Sequence, residues 1–158
     1  MKTLAATVRD SGEGERRWFY GGGLQTWKVT SEESGGTFLL FEFVGARGKV
    51  TPVHIHPACE ETFYILEGEI LLDLDGHRRA LAAGGVVAIP RGAPHAFMVT
   101  SPEARMLTLQ TPGVDEKFFR LASEPAPEGS AAVPVDFDRI RDAAMETGAI
   151  EILGPPPF

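Results

Sequence analysis

An all-β barrel or sandwich, finished by short helices at its C-terminal end, is the fold that this sequence predicts, on three observations. From Val50 to Gln110, short apolar runs alternate with turn signals every several residues, the spacing of a many-stranded β domain. Asp75-Gly76 separates two of those runs and is a dipeptide that favours the tight hairpin turn, because both positions tolerate positive φ. After Gln110 the pattern changes to helical spacing. A chain of 158 residues is most simply one domain with a complete core, and no repeat of solenoid length is visible.

Residues 1–23 read as an irregular N-terminal arm: a polar stretch from Asp10 to Arg17, three aromatics (Trp18, Phe19, Tyr20), then Gly21 to Gly23. The rings dock the arm while the glycines let it bend. They cap the core in the plainer reading and touch a substrate in the sharper one. Residues 24–112 form the barrel. It begins with strand-like runs from Leu24 to Thr30 and from Thr37 to Val44. The second is apolar on both faces, which predicts a core on one side and another sheet or subunit on the other, and hence a homodimer. The remaining runs are Thr62–Leu66, Ile70–Leu74, Arg78–Leu81, Val86–Ile89, His95–Thr100 and Arg105–Gln110. Pro90 and Gly92 fit the second and fourth positions of a type I turn, and His77, beside the Asp75-Gly76 turn, is expected to be exposed.

Residues 113–158 predict helices and a Pro-rich tail packed on the barrel or across its mouth. Val114 to Ser123 has acids early and a base late, as the helix dipole prefers. A Pro/Ala/Glu-rich connector from Glu124 to Pro134 follows. Asp136 is the N-cap expected for a second helix, with Phe137, Ile140, Ala144 and Thr147 on one face and Gly148 at its end. The prolines near Phe158 exclude helix there.

The net charge of −7 argues against nucleic acid as a partner, since phosphates demand a basic face. No apolar run is long enough to span a membrane, and the short segment from Met1 to Val8 meets Arg9-Asp10 too soon for a convincing signal peptide. A cytoplasmic protein is expected. The lone cysteine, Cys59, agrees, because it has no internal disulfide partner.

Three of the 4 histidines fall in two segments. His54 and His56 are two residues apart, so on an extended strand they leave the same face roughly 7 Å apart and can reach one ion. Glu61 follows beyond a Pro57-Ala58-Cys59 turn and opens the next strand, so adjacent strands can present three donors to one point. His95, after the Pro90-Arg91-Gly92 turn, is the candidate for the fourth. Plainer readings surround these four. Glu60 has the opposite strand parity to Glu61 and reads as a surface group. Cys59 reads as a small packed side chain, Arg91 as solvent-exposed, and Lys49 as having the wrong parity for a pocket if His54 faces in.

The two segments together resemble the paired motifs of the cupin family. The first motif is Gly, five residues, His-x-His, three or four residues, Glu, six residues, Gly, and Gly48, His54, His56, Glu61 and Gly68 fit it. The second is Gly, five residues, Pro-x-Gly, two residues, His, three residues, Asn. Gly84, Pro90, Gly92 and His95 fit it, and Val99 stands where the family has Asn. The resemblance implies a cupin-type double-stranded β-helix, a jelly-roll barrel. It also implies one divalent transition metal ion (Fe, Mn, Ni, Co, Cu or Zn) held by His54, His56, Glu61 and His95. Homodimerisation is a second implication of it.

Strand parity then places Phe63 and Ile65 beside Glu61, Phe97 and Val99 beside His95, and Val50 and Pro52 beside His54, which predicts a mostly apolar pocket. A sequence similar to the quercetin dioxygenase-like branch implies an enzyme: a dioxygenase acting on a flavonol-like, enol or diketone small molecule, with Glu61 as general base. A metal-assisted isomerase or decarboxylase in the same pocket is one alternative, and a non-catalytic small-molecule-binding module is another.

Overall fold

Alternation of small steps along each strand decides which face a residue takes, and the strand from Glu103 to Thr111 shows it most clearly: Ala104, Met106, Thr108 and Gln110 are buried while the residues between them are only partly so. In the computed structural model, which describes residues 3–158, the chain forms β1 (Glu15–Phe19), β2 (Leu24–Val29), β3 (Leu39–Ala46), β4 (Val53–Ile55), β5 (Glu60–Glu67) and β6 (Glu69–Leu74). These are followed by β7 (His77–Ala82), β8 (Val86–Ile89), β9 (His95–Val99), β10 (Glu103–Thr111), α1 (Glu116–Leu121), β11 (Ser123–Pro125), α2 (Phe137–Thr147) and β12 (Glu151–Gly154). Two antiparallel sheets result. One has the order β11-β1-β2-β3-β10-β5-β8 and the other β12-β4-β9-β6-β7, so the fold is the all-β jelly roll with short C-terminal helices that the sequence implied.

Turn chemistry sets the register. Asp75 and Gly76 have φ of 51° and 82°, and the two-residue loop lets Leu74 pair with His77, which is exposed. Gly68 joins β5 to β6 with φ of 77°, and a Cβ there would lie 2.2 Å from the Glu103 carbonyl oxygen. The turn before β9 differs from the type I expectation. Ala93 N–H donates to Pro90 O at 3.1 Å, and Gly92, with φ of 78°, takes the third position, as a type II turn requires.

The arm is not irregular throughout, because β1 lies within it and pairs with both β2 and β11. Arg17 secures this edge: buried itself, it donates through Nε to Ser123 Oγ at 2.7 Å and through Nη2 to the Arg120 and Ser123 carbonyls at 3.1 Å. Of the three adjacent aromatics, Tyr20 is buried, Phe19 lines the interior cavity, and Trp18 hydrogen-bonds Ser130 through its indole N–H at 2.9 Å.

The C-terminal part likewise adds strands as well as helices, β11 on one sheet and β12 on the other. α2 begins at Asp136, whose Oδ1 accepts from Arg139 N at 3.2 Å, and ends at a left-handed Gly148. Its buried face is Ile140, Ala143 and Ala144, while Phe137 stays 38% exposed. Phe118, Phe119, Phe137, Ile140 and Ile150 all reach the cavity, so the C-terminal segments form part of its wall. No helix among the described residues is long and apolar enough to cross a membrane.

Candidate metal centre

The polar end of the cavity is assembled where the two sheets face each other. β4 and β9 pair His54 directly with His95, and their rings lie 4.3 Å apart between centroids. His56 lies just past the end of β4, and its carbonyl accepts a 2.9 Å hydrogen bond from Gly92 N–H, tying it to the turn that precedes His95. Glu61 arrives from β5 in the other sheet. Gln110, paired with Glu61 across β10, donates through Nε2 to Glu61 Oε1 at 3.0 Å. All four expected donors are buried, and their ligating atoms lie within 4.8 Å of one another.

Hydrogen bonding on the outer side of each ring orients the inner nitrogen. His54 Nδ1 lies 2.8 Å from Pro52 O, His95 Nδ1 2.9 Å from Ala93 O, and His56 Nδ1 2.8 Å from Asp115 Oδ2. A carbonyl or carboxylate oxygen can only accept, so each Nδ1 carries a proton and each Nε2 is turned toward the common centre, where its lone pair, once free of a proton, can meet an ion. Among the described residues, His56 Nε2 is buried without a hydrogen-bond partner. Glu61 Oε2 sits 3.2 Å from His56 Nε2 and 3.1 Å from His95 Nε2. Three imidazoles and one carboxylate form a donor set suited to a divalent first-row ion, so the residues fit the metal that the motifs imply.

Electrostatics favour a cation at the same point. Burial, followed by the charges of His95 and His56, pushes the His54 imidazolium down to about 3, which keeps that ring neutral. Burial alone would raise the Glu61 carboxyl, but His56 and His95 outweigh it and hold its pKa well below the usual range. Burial would likewise lower His56, yet the Glu61 carboxylate and the Asp115 hydrogen bond carry it well above its ordinary value. A buried carboxylate therefore recruits a positive charge. A second proton on His56 and a metal ion compete for the same Nε2 lone pair.

From this centre extends a cavity of about 80 Å³ with mostly apolar walls. Of the expected pocket residues, Pro52, Phe63 and Phe97 line it. Ile65 and Val99 share the inward face but are fully buried in the packed core and do not form its wall. Val50 requires a correction. It bridges Met98 while His54 pairs with His95, so four steps of one strand span three of the other. That bulge reverses parity: Val50 shares a face with half-buried Met98, and Thr51 and Lys49 line the cavity instead. The assignment of Lys49 to the wrong face fails for the same reason.

Other groups escaped the sequence reading. Asp115 and Gln110 support His56 and Glu61; the readable signal for Gln110 was a polar residue at a core parity of β10, whereas Asp115 looked like an ordinary residue at a helix start. Cys59 is buried and donates through Sγ to Asp115 Oδ2 at 3.2 Å. Glu60 and Arg91 pair with each other on the surface at 2.9 Å.

The model of the cupin domain matches residues 41–109. Quercetin 2,3-dioxygenase of Bacillus subtilis (strain 168) is 28% identical over 138 residues, covering 85% of this chain but only 41% of that protein, so the chain spans less than half of that relative's length. Among solved structures, KdgF from Halomonas sp. superposes with a TM-score of 0.60 at 18% identity, over 70% of this chain and 94% of KdgF. The polyketide cyclase RemF from Streptomyces resistomycificus is 27% identical with a TM-score of 0.51, over 70% of this chain and 79% of RemF. Fold, motif spacing and family match agree: residues 41–109 are a cupin domain, set in a cupin-type jelly roll.

Proposed function

We propose that this chain is a metal-dependent dioxygenase that acts on a small enol or diketone. The observation that carries the reading is the convergence of three imidazole nitrogens and one carboxylate at the polar end of an otherwise apolar cavity. The similarity to a quercetin 2,3-dioxygenase supports the oxygenase part. Cavity size favours a small substrate. An apolar cavity of about 150 Å³ holds one benzene, so at about 80 Å³ a three-ring flavonol would require the aromatic walls to move.

His54, His56, Glu61 and His95 would hold the ion. When bound, a divalent transition ion supplies Lewis acidity toward an enol oxygen and, if redox-active, electron exchange with dioxygen. Glu61 is the carboxylate in the cavity wall and is positioned to take the enol proton on its carboxylate, with Gln110 fixing its other oxygen. Phe63 and Phe97 pack edge to face, 5.5 Å between centroids, and present a ring surface that orients a planar substrate and excludes water.

A non-oxidative reaction in the same cavity, such as cyclisation, isomerisation or decarboxylation, is a second reading, supported by the similarity to a polyketide cyclase. Binding without turnover is a third. Oxygen uptake separates them. Protein loaded with each metal in turn and offered acetylacetone and flavonols consumes oxygen above the metal-free control if it is a dioxygenase. Product formed equally without oxygen assigns the non-oxidative reaction, and no product with any metal assigns binding alone.

A homodimer and a cytoplasmic location complete the proposal. Half-buried Leu40, Leu107 and Leu109 and exposed Tyr64 and Val86 put apolar surface on the outer face of the larger sheet, which supports self-association. A monomeric mass in solution would contradict the dimer. The free, buried Cys59 thiol supports a reducing compartment.

A further inference from the structure

Among the described residues, Lys49 is a cation without a carboxylate partner. Its stem enters the cavity, and its Nζ lies 5.3 Å from the Phe97 ring centroid, 5.5 Å from Phe19 and 5.9 Å from Phe43. Its one hydrogen bond is to the Val50 carbonyl, at 3.1 Å. An ammonium has three donors, so two are left without a partner among the described residues. Taking a charge out of water is costly unless it is paired, and three ring faces offset only part of that cost. Burial accordingly pulls the Lys49 pKa down to about 7.

The position of Lys49 along the barrel gives this unpaired group a use. The backbone of Lys49 pairs with Val99 (Val99 N–H to Lys49 O, 2.9 Å), whereas His54 pairs with His95. Four residues of β9 separate those two positions, roughly 13 Å of strand. The cavity thus has a donor-rich centre toward one end and an ammonium entering nearer the other, with phenyl rings between. An ammonium at one end and a divalent ion at the other would each attract an anionic oxygen.

We propose that Lys49 is an anion-binding residue: its ammonium holds the carboxylate, phenolate or enolate oxygen at one end of a short, planar, unsaturated ligand whose other oxygen function meets His54, His56, Glu61 and His95. This names the substrate class for the function proposed above and rests on that reading for the second contact, but the lysine contact itself needs no metal. An anion seated there satisfies donors that the protein leaves free and restores a pairing that the fold withholds.

Crotonate and its neutral isostere crotonamide, titrated by ligand-detected NMR into both metal-loaded and chelator-stripped protein, test the proposal. The wild type is expected to bind crotonate about ten-fold more tightly than crotonamide in both forms, the size of one charge-assisted hydrogen bond. In the chelator-stripped form K49M and K49Q, with circular dichroism confirming the fold, lose that preference, and K49R keeps part of it. A preference that persists in both stripped neutral variants, or is missing from the stripped wild type, overturns the assignment. The stripped arm separates the two readings: failure of the metal centre leaves it unchanged, while failure of the lysine contact leaves metal uptake unchanged.

Discussion

Asp115 turns its carboxylate away from the helix it begins and accepts a 2.8 Å hydrogen bond from His56 Nδ1. As the N-cap residue of α1 it makes no side-chain cap, although capping typically contributes about 1 kcal/mol. The carboxylate instead accepts from His56 and from the Cys59 thiol, in a pocket where Asp115 is 1% exposed. A local stabilisation is forgone, and a histidine beside the centre gains a fixed ring orientation.

Asp115→Ala is therefore expected to weaken metal binding by about 10- to 100-fold, the usual effect of removing a carboxylate that orients a ligating histidine. Competition against a chelator of known affinity measures it. Affinity within two-fold of wild type would mean that His56 is oriented without its partner.

Glu61→Gln separates holding from proton transfer. The amide keeps an oxygen toward the centre but cannot take up a proton, so metal affinity should fall less than turnover does. Steady-state rates at saturating metal read the difference, and undiminished turnover would remove the base role from Glu61.

Metal uptake should depend on pH. His56 is held above its ordinary pKa by Glu61, so near neutrality it carries an extra proton that an incoming ion must displace. Below that raised pKa, affinity rises by about ten-fold per pH unit; above it, the dependence flattens. Titration in weak buffer at pH 7 is expected to release about one proton per ion from this ring. No proton release would show that His56 is neutral before the ion arrives.

Acid sensitivity of the fold has a separate origin in the N-terminal arm. Arg9 pairs with Glu33 at 2.7 Å, and this hydrogen bond, with help from the Thr30 backbone, brings the Glu33 pKa down to about 2 from 4.5. The pKa is depressed in the folded state, so the unfolded chain binds the proton more readily. The stabilisation is present above 4.5 and is lost as pH falls toward 2. Arg9→Ala should flatten that part of the acid unfolding curve, monitored by circular dichroism, while leaving the neutral-pH metal affinity unchanged. An unaltered curve would detach the pair from stability.

Much of this was legible in the sequence for a physical reason. Strand parity and turn glycines act locally, so the spacing of His54, His56 and Glu61, and of Gly92 and His95, carried the convergence of the four donors. The strand boundaries from β5 to β10 followed from the same signals. Parity failed at Val50 and Lys49 because the bulge before His54 leaves no mark in composition. β1 was missed because it opens on the charged residues Glu15, Arg16 and Arg17, and its pairing with β11 depends on residues far along the chain. Asp115 was hidden by its conventional place at a helix start.

Metal content tests the central claim most directly. Freshly purified wild-type protein, assayed by elemental analysis and then titrated with each first-row divalent ion, is expected to hold about one transition ion per chain, with His56→Ala retaining close to none. A wild-type chain that binds no more metal than His56→Ala, with every ion tried, would contradict the assignment of His54, His56, Glu61 and His95 as a metal centre.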